Sequence, residues 1–180
     1  MGDIVLLLVS CGFPMSARVI QIHIAPKGGL PKRPVSRGVV TPFGLEGDAQ
    51  AHPQIHGGPR QALLLISKEV IDELIAHGYP LFHGALGENF TVEGLDRRTL
   101  RAGQRYRIGS DVIIELTKPR GPCKALDVYG ADLRPKIHDQ LVKAGDPTSP
   151  HWGMSGFYAS VVEGGEVFPG APIIFLDQAV

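Results

Sequence analysis

The chain has 180 residues, of which 43% are hydrophobic and 20% charged, and its 18 basic side chains balance 18 acidic ones. That length supports one domain with a core that needs no staples. The charge balance excludes a global attraction to nucleic acid or to a membrane surface, so an anionic ligand must be met by a local patch.

The 23 glycines and 15 prolines disfavour a helical bundle, because both residues disrupt helix interiors, and favour many short strands with tight connections. The two cysteines, Cys11 and Cys123, form neither a disulfide ladder nor a C-x-x-C pair, which points to a reducing cytoplasm. At the start of the chain Ile4–Val9 is a short apolar run that ends at Ser10–Cys11 and is preceded by Asp3. It is shorter than the roughly 7–15 residues of a signal-peptide core and far too short to span a bilayer. Residues 1–17 are therefore expected to be a leader or a disordered extension, with Met15 as an alternative start, and a single domain is expected over 18–180.

Arg18–Ala25 is rich in β-branched residues and predicts the first strand. Pro26–Arg37 combines glycines and prolines with Lys27, Lys32, Arg33 and Arg37. It is expected to be a solvated basic connection, with part of an anion-binding rim as the alternative. Val39–Thr41 predicts a short strand stopped by Pro42. Gly44–Ala62 then keeps no apolar period and predicts a long irregular loop, a feature that in compact domains is usually functional. It carries Asp48, His52, His56 and Arg60 beside Gly57–Gly58, whose missing Cβ atoms let backbone approach a ligand. His52 and His56 have the spacing of zinc ligands on a helix, but Pro53 and the glycines oppose a helix there and no third ligand is evident. A ligand-facing loop is the better reading.

Ala62–Ile66 predicts a buried strand, Ser67 an N-cap, and Lys68–His77 a helix with Val70, Ile71, Leu74 and Ile75 on its apolar face and Gly78 as its stop. Gly84–Val92 predicts a turn leading into a strand, with Glu88 and Asn89 at its entrance. Arg97, Arg98, Arg101, Arg105 and Arg107 mark a solvated hairpin face, and Tyr106–Ile108 and Val112–Leu116 predict strands paired about Gly109–Asp111. The strand ending at Leu116 delivers the chain into L-T-K-P-R-G-P-C-K-A-L, Leu116–Leu126. Pro119 and Pro122 stiffen this loop, so Cys123 is held in place between Lys118, Arg120 and Lys124 with no carboxylate among them. Neighbouring positive charge favours a thiolate, the form of cysteine that attacks or ligates. Beyond it, Asp132 is placed to cap a short helix bearing Leu133, Ile137 and Leu141, and Phe157–Val162 and Pro172–Leu176 predict closing strands. The sum is a mainly β fold, a closed or nearly closed β-barrel with a few short peripheral helices.

Four segments in order, G-L-E-G-D (Gly44–Asp48), H-G-G-P (His56–Pro59), G-A-L-G-E-N-F-T (Gly84–Thr91) and P-R-G-P-C (Pro119–Cys123), resemble the motifs of MOSC domains. That family is named for the C-terminal domain of molybdenum cofactor sulfurases. The closing segment Gly156–Gly170 is also similar to it, and the likeness runs over roughly residues 18–176. The resemblance implies a barrel-like fold that binds molybdenum cofactor or handles its sulfur. It implies a catalytic and metal-ligating role for Cys123, with Asp48, His56, Gly57, Gly58, Arg60, Glu88, Asn89 and Arg120 binding the cofactor. In reductase members, which include the mitochondrial amidoxime-reducing component, the matching cysteine ligates molybdenum and N-hydroxylated bases or amidoximes are reduced. In sulfurase-fused members the domain works with a pyridoxal-phosphate cysteine desulfurase; here pyridoxal phosphate would belong to a partner. A small-molecule substrate and a separate electron-donor reductase or desulfurase are therefore expected, with no nucleic acid and no membrane. A sulfur carrier holding a persulfide on Cys123 and a non-catalytic cofactor-binding module are the alternatives.

Overall fold

The computed structural model describes residues 17–49 and 58–178. The expected leader, Met15, Cys11, His52, His56 and Gly57 lie outside the described residues. Eleven strands and three short α-helices follow in order. They are β1 (Arg18–Ile24), β2 (Arg33–Val35), β3 (Gly38–Thr41), β4 (Gly44–Leu45), β5 (Leu63–Ser67), α1 (Lys68–Ala76), β6 (Phe90–Glu93), β7 (Gln104–Ile108) and β8 (Val112–Pro119). After them come α2 (Leu133–Ile137), α3 (Gln140–Lys143), β9 (Phe157–Glu163), β10 (Gly165–Val167) and β11 (Ile173–Gln178).

Eight strands form one curled sheet in the order β11-β7-β8-β9-β5-β6-β1-β2. Its far members meet again: Arg18 on β1 bridges Pro172 just before β11, and backbone bonds Val19 N to Ala171 O (2.9 Å), Gly170 N to Val19 O (2.7 Å) and Ile173 N to Ala17 O (2.7 Å) seal the junction. The fold is thus mainly β and barrel-like, as expected from the short apolar runs. A second, three-stranded sheet, β10-β3-β4, adds Val40, Leu45 and Val167 to the same core.

Strand β5 shows how the sequence builds both faces. All five of its residues are buried. Alternation sends Leu63 and Leu65 inward to Val19, Ile22, Phe90, Ile114 and Leu116, and sends Leu64 and Ile66 outward to Ile71, Leu74, Leu126 and Leu133. β5 and β6 are joined through α1 and pair in parallel, and a parallel strand covered on both sides reads as a continuous apolar run rather than an alternating one. Each such aliphatic side chain contributes about 1.5–3 kcal/mol on burial.

Several local expectations are corrected. The buried stripe of α1 is Val70, Ile71 and Leu74, whereas Ile75 is 44% exposed, because the helix meets the barrel over one narrow face. Ser67 occupies the N-cap position without a side-chain cap bond. The expected Leu133–Leu141 helix is two pieces, broken by extended backbone at His138, with Asp139 capping α3 by accepting from Val142 N at 2.8 Å. Asp132 caps neither piece and instead accepts a hydrogen bond from the Tyr79 hydroxyl at 3.0 Å. The basic connection before Arg37 contains β2, and the irregular loop after Gly44 begins as β4. No helix among the described residues is long and apolar enough to cross a membrane.

Candidate functional site

The loop after β8 is fixed at its root. Arg120 N donates to Gly156 O at 2.9 Å, and the Ser155 hydroxyl donates to the Arg120 carbonyl. Gly156 has φ 85°, and a Cβ there would lie 2.5 Å from Leu65 O, so only glycine lets this turn press against β5. Thr117 Oγ1 donates to Arg60 O at 2.6 Å, tying β8 to the short 3-10 turn Pro59–Gln61. Three elements thus hold Pro119–Cys123 over the end of the barrel.

Beneath the loop is a cavity of about 360 Å³. Cys123, Arg120, Asn89, Lys32, Gln61 and Tyr158 line it, and Leu30, Leu64 and Ala125 supply apolar wall. Cys123 is a free thiol, partly exposed. Arg120 is only 4% exposed, and its Nη1 is buried without a hydrogen-bond partner. The Lys32 side chain is 12% exposed and donates from Nζ to Asp48 Oδ2 at 2.5 Å. Burial pulls its pKa below the ordinary lysine value, and Asp48 opposes that shift. Burial also raises the Tyr158 phenol, an effect the neighbouring Arg120 guanidinium counters. Lys32, Arg120 and Lys124 are cations in the lining, and no carboxylate lines the cavity among the described residues.

The structure brings Cys123, Arg120 and Asn89 into one lining and sets Asp48 and Glu88 behind it. Asp48 accepts from Ala25 N (2.8 Å) and Asn89 Nδ2 (2.7 Å) as well as from Lys32, so it fastens three separate segments. Asn89 is 3% exposed, its Oδ1 accepts from Leu64 N at 3.0 Å, and its backbone N donates to Leu64 O at 2.8 Å. Its amide is therefore a brace between β5 and Asp48 rather than a set of free donors. Glu88 is fully buried; its Oε1 accepts from Gly84 N (2.5 Å) and Thr91 Oγ1 (3.0 Å), which closes the turn before β6. Gly58 and Arg60 sit exposed at the Pro59–Gln61 turn, off the cavity, and the neighbouring Gln61 takes the place in the lining. His56 and Gly57 lie outside the described residues.

Lys32, Gln61 and Tyr158 are the lining residues that motif reading passed over. Lys32 had a signal in the basic Pro26–Arg37 segment, where an anion-binding rim was the alternative to a solvated loop. Tyr158 had none, since it stands inside an apolar strand. Among the described residues no group of three or more His, Cys, Asp or Glu could hold a metal ion.

A family model described as "MOSC domain" matches residues 52–174. The chain is 31% identical over 155 residues to the uncharacterized protein YflK of Bacillus subtilis, covering 83% of this chain and 64% of that protein. It is 31% identical over 143 residues to protein YiiM of Escherichia coli, covering 75% of this chain and 57% of that protein. It therefore spans less than two thirds of the length of either curated relative. The crystal structure of YiiM from Geobacillus stearothermophilus shares the fold, with a TM-score of 0.64 at 23% identity over 89% of this chain and 75% of that one.

Proposed function

The chain belongs to the MOSC domain family, and on that premise we propose that it binds molybdenum cofactor beneath the Arg120–Cys123 loop and reduces N-hydroxylated compounds in the cytoplasm. Hydroxylamino-purines and amidoximes are the substrate class. The observation that carries this reading is the Arg120 guanidinium, buried at 4% exposure with Nη1 unpartnered, in a cavity that also presents a thiol. A buried cation with no carboxylate paired to it is costly even beside a neutral phenol, and an anionic ligand removes that cost. The cofactor's phosphate suits Arg120 and Lys32, and its metal, already held by soft dithiolene sulfur, suits the Cys123 thiolate. The fit is therefore good in charge and in donor chemistry.

When bound, the cofactor supplies the two-electron redox centre. The chain's own residues do the rest. Cys123 would hold the metal at the lip of the barrel, and Arg120 and Lys32 would fix the phosphate. Leu30, Leu64 and Ala125 supply apolar wall beside the thiol. The Tyr158 phenol, raised by burial, stays protonated at neutral pH and can donate a hydrogen bond into the cavity. In the overall reaction the N–O bond breaks and the oxygen leaves as water, with two electrons and two protons consumed per substrate. Those electrons come from a separate reductase.

Protein made in a molybdenum-replete host should carry stoichiometric molybdenum and reduce hydroxylamino-purines with an artificial one-electron donor. Cys123→Ala should abolish that activity while changing folding stability by less than about 0.5 kcal/mol, because a partly exposed loop thiol packs little. Full activity in the variant would refute the reading. A persulfide on Cys123 after exposure to a cysteine desulfurase, without molybdenum, would assign sulfur carriage instead.

A further inference from the structure

The Pro119–Cys123 loop has two sides. Arg120 and Cys123 face the cavity, whereas Pro119, Gly121 and Pro122 wall a second, wider groove of about 700 Å³. Gln61 and Tyr158 border both spaces, so they form the partition between them. Its charged lining is all cationic: Lys118, Arg134 and Lys143 line it beside His138, Pro135, Val142 and Gly145, and no carboxylate does among the described residues. Lys118 and Lys143 are exposed and take part in no ion pair among the described residues. Lys118 Nζ lies 6.0 Å over the Tyr158 ring, at the partition itself. Arg134 is held by Asp127 through Nε at 2.6 Å and Nη2 at 3.2 Å, so its guanidinium is fixed in place. Burial lowers the His138 pKa, which leaves it a neutral hydrogen-bonding group at neutral pH.

We infer that this groove receives the phosphate end of a phosphorylated substrate whose reacting end passes the Gln61–Tyr158 partition toward Cys123. The inference rests on the reduction proposed above and narrows its substrate class from free bases to nucleotides. Mobile lysine ammonium groups suit a phosphate as point charges, and a tyrosine face suits a base in passage. The volume falls within the roughly 300–1,000 Å³ of small-ligand sites. Prolines at 119, 122 and 135 keep the groove wall stiff, so little ordering accompanies binding.

Calorimetry on the cofactor-free protein tests this without any chemistry, using AMP, adenosine and inorganic phosphate as probes. AMP should bind at least about tenfold more tightly than adenosine, inorganic phosphate should compete, and Lys118→Ala with Lys143→Ala should bring AMP to the level of adenosine. Arg107→Ala, an exposed cation on β7, should change nothing. In the loaded enzyme the lysine pair should raise KM for the N6-hydroxylated analogue of AMP about tenfold with kcat unchanged, and leave KM for the free base alone. Equal binding of AMP and adenosine, or AMP binding indifferent to both lysines, would overturn the inference. Salt-sensitive retention of an acidic flavoprotein without any preference for AMP would also overturn it, and would assign the groove to a protein partner. Absence of molybdenum and of reductase activity would sink the functional reading separately, because the calorimetry does not depend on either.

Discussion

Arg120 concentrates the conflict between stability and binding in one side chain. At 4% exposure with Nη1 unpartnered, its charge is desolvated and only partly compensated. Its backbone, by contrast, is well used, since N–H and carbonyl both anchor the loop to Ser155 and Gly156. Arg120→Met keeps that backbone and most of the side-chain volume while removing the charge. The cofactor-free variant should be more stable by about 1–3 kcal/mol, seen as a higher denaturant midpoint at unchanged m-value. Its retention of anionic ligand should fall at least about tenfold. A variant that is less stable and binds equally well would show the guanidinium to be a structural group. Lys32 is the contrasting case: its ammonium is paired with Asp48, so the same strategy there would strand a buried carboxylate.

At the scale of elements, β1 meets the turn before β6. The turn carries Gly84 at φ 93°, where a Cβ would come within 3.0 Å of the His23 ring, and Lys32 N donates to its carbonyl at 3.0 Å. His23 is fully buried there with neither ring nitrogen bonded among the described residues. Burial first, then His83 and Lys32, lower its pKa from 6.5 to about 4. The unfolded chain therefore binds the proton more tightly, and stability is lost as pH falls from 6.5 towards 4. The loss is at most about 3 kcal/mol. His23→Leu should flatten that limb and raise the denaturation midpoint more at pH 5 than at pH 7. An unchanged acid limb in the variant would place the titrating group elsewhere.

The same elements show what could be read in advance. β5, α1, β7 and β8 were legible because each carries a local signal: a continuous apolar run, a helical stripe with Gly78 as its stop, or a hairpin about Gly109. β2, β4 and β10 are two or three residues long, and nothing local marks them, because tertiary pairing alone makes them strands. At the site, the Pro119–Cys123 segment announced itself through its prolines and cations. Lys32 is legible only as one cation of a basic loop, because its burial depends on Asp48 folding over it from 16 residues away. Asn89 was legible as a motif residue, but its work as a brace for β5 could not be seen without the register.

For the molecule as a whole, 18 cations cancel 18 anions, yet the cations are not spread evenly. Lys32, Arg120 and Lys124 line the cavity and Lys118, Arg134 and Lys143 the groove; Asp48 and Asp127 pair Lys32 and Arg134 from outside the linings, which leaves Arg120, Lys124, Lys118 and Lys143 as the excess among the described residues. Global balance should make folding stability nearly independent of ionic strength, while the local excess makes anion binding dependent on where the anion sits. The Debye length shrinks from about 10 Å at 0.1 M salt to about 3 Å at 1 M, which weakens exposed charges far more than buried ones. Raising sodium chloride from about 0.1 to about 1 M should therefore shift Tm by no more than about 2 °C, and weaken AMP binding at the exposed groove lysines several-fold. Cofactor retention through Arg120 and Lys32, at 4% and 12% exposure, should change little over the same range. If retention and AMP binding fall in parallel, the two sites are electrostatically one, and the partition drawn at Gln61 and Tyr158 does not separate a sheltered anion from a solvated one.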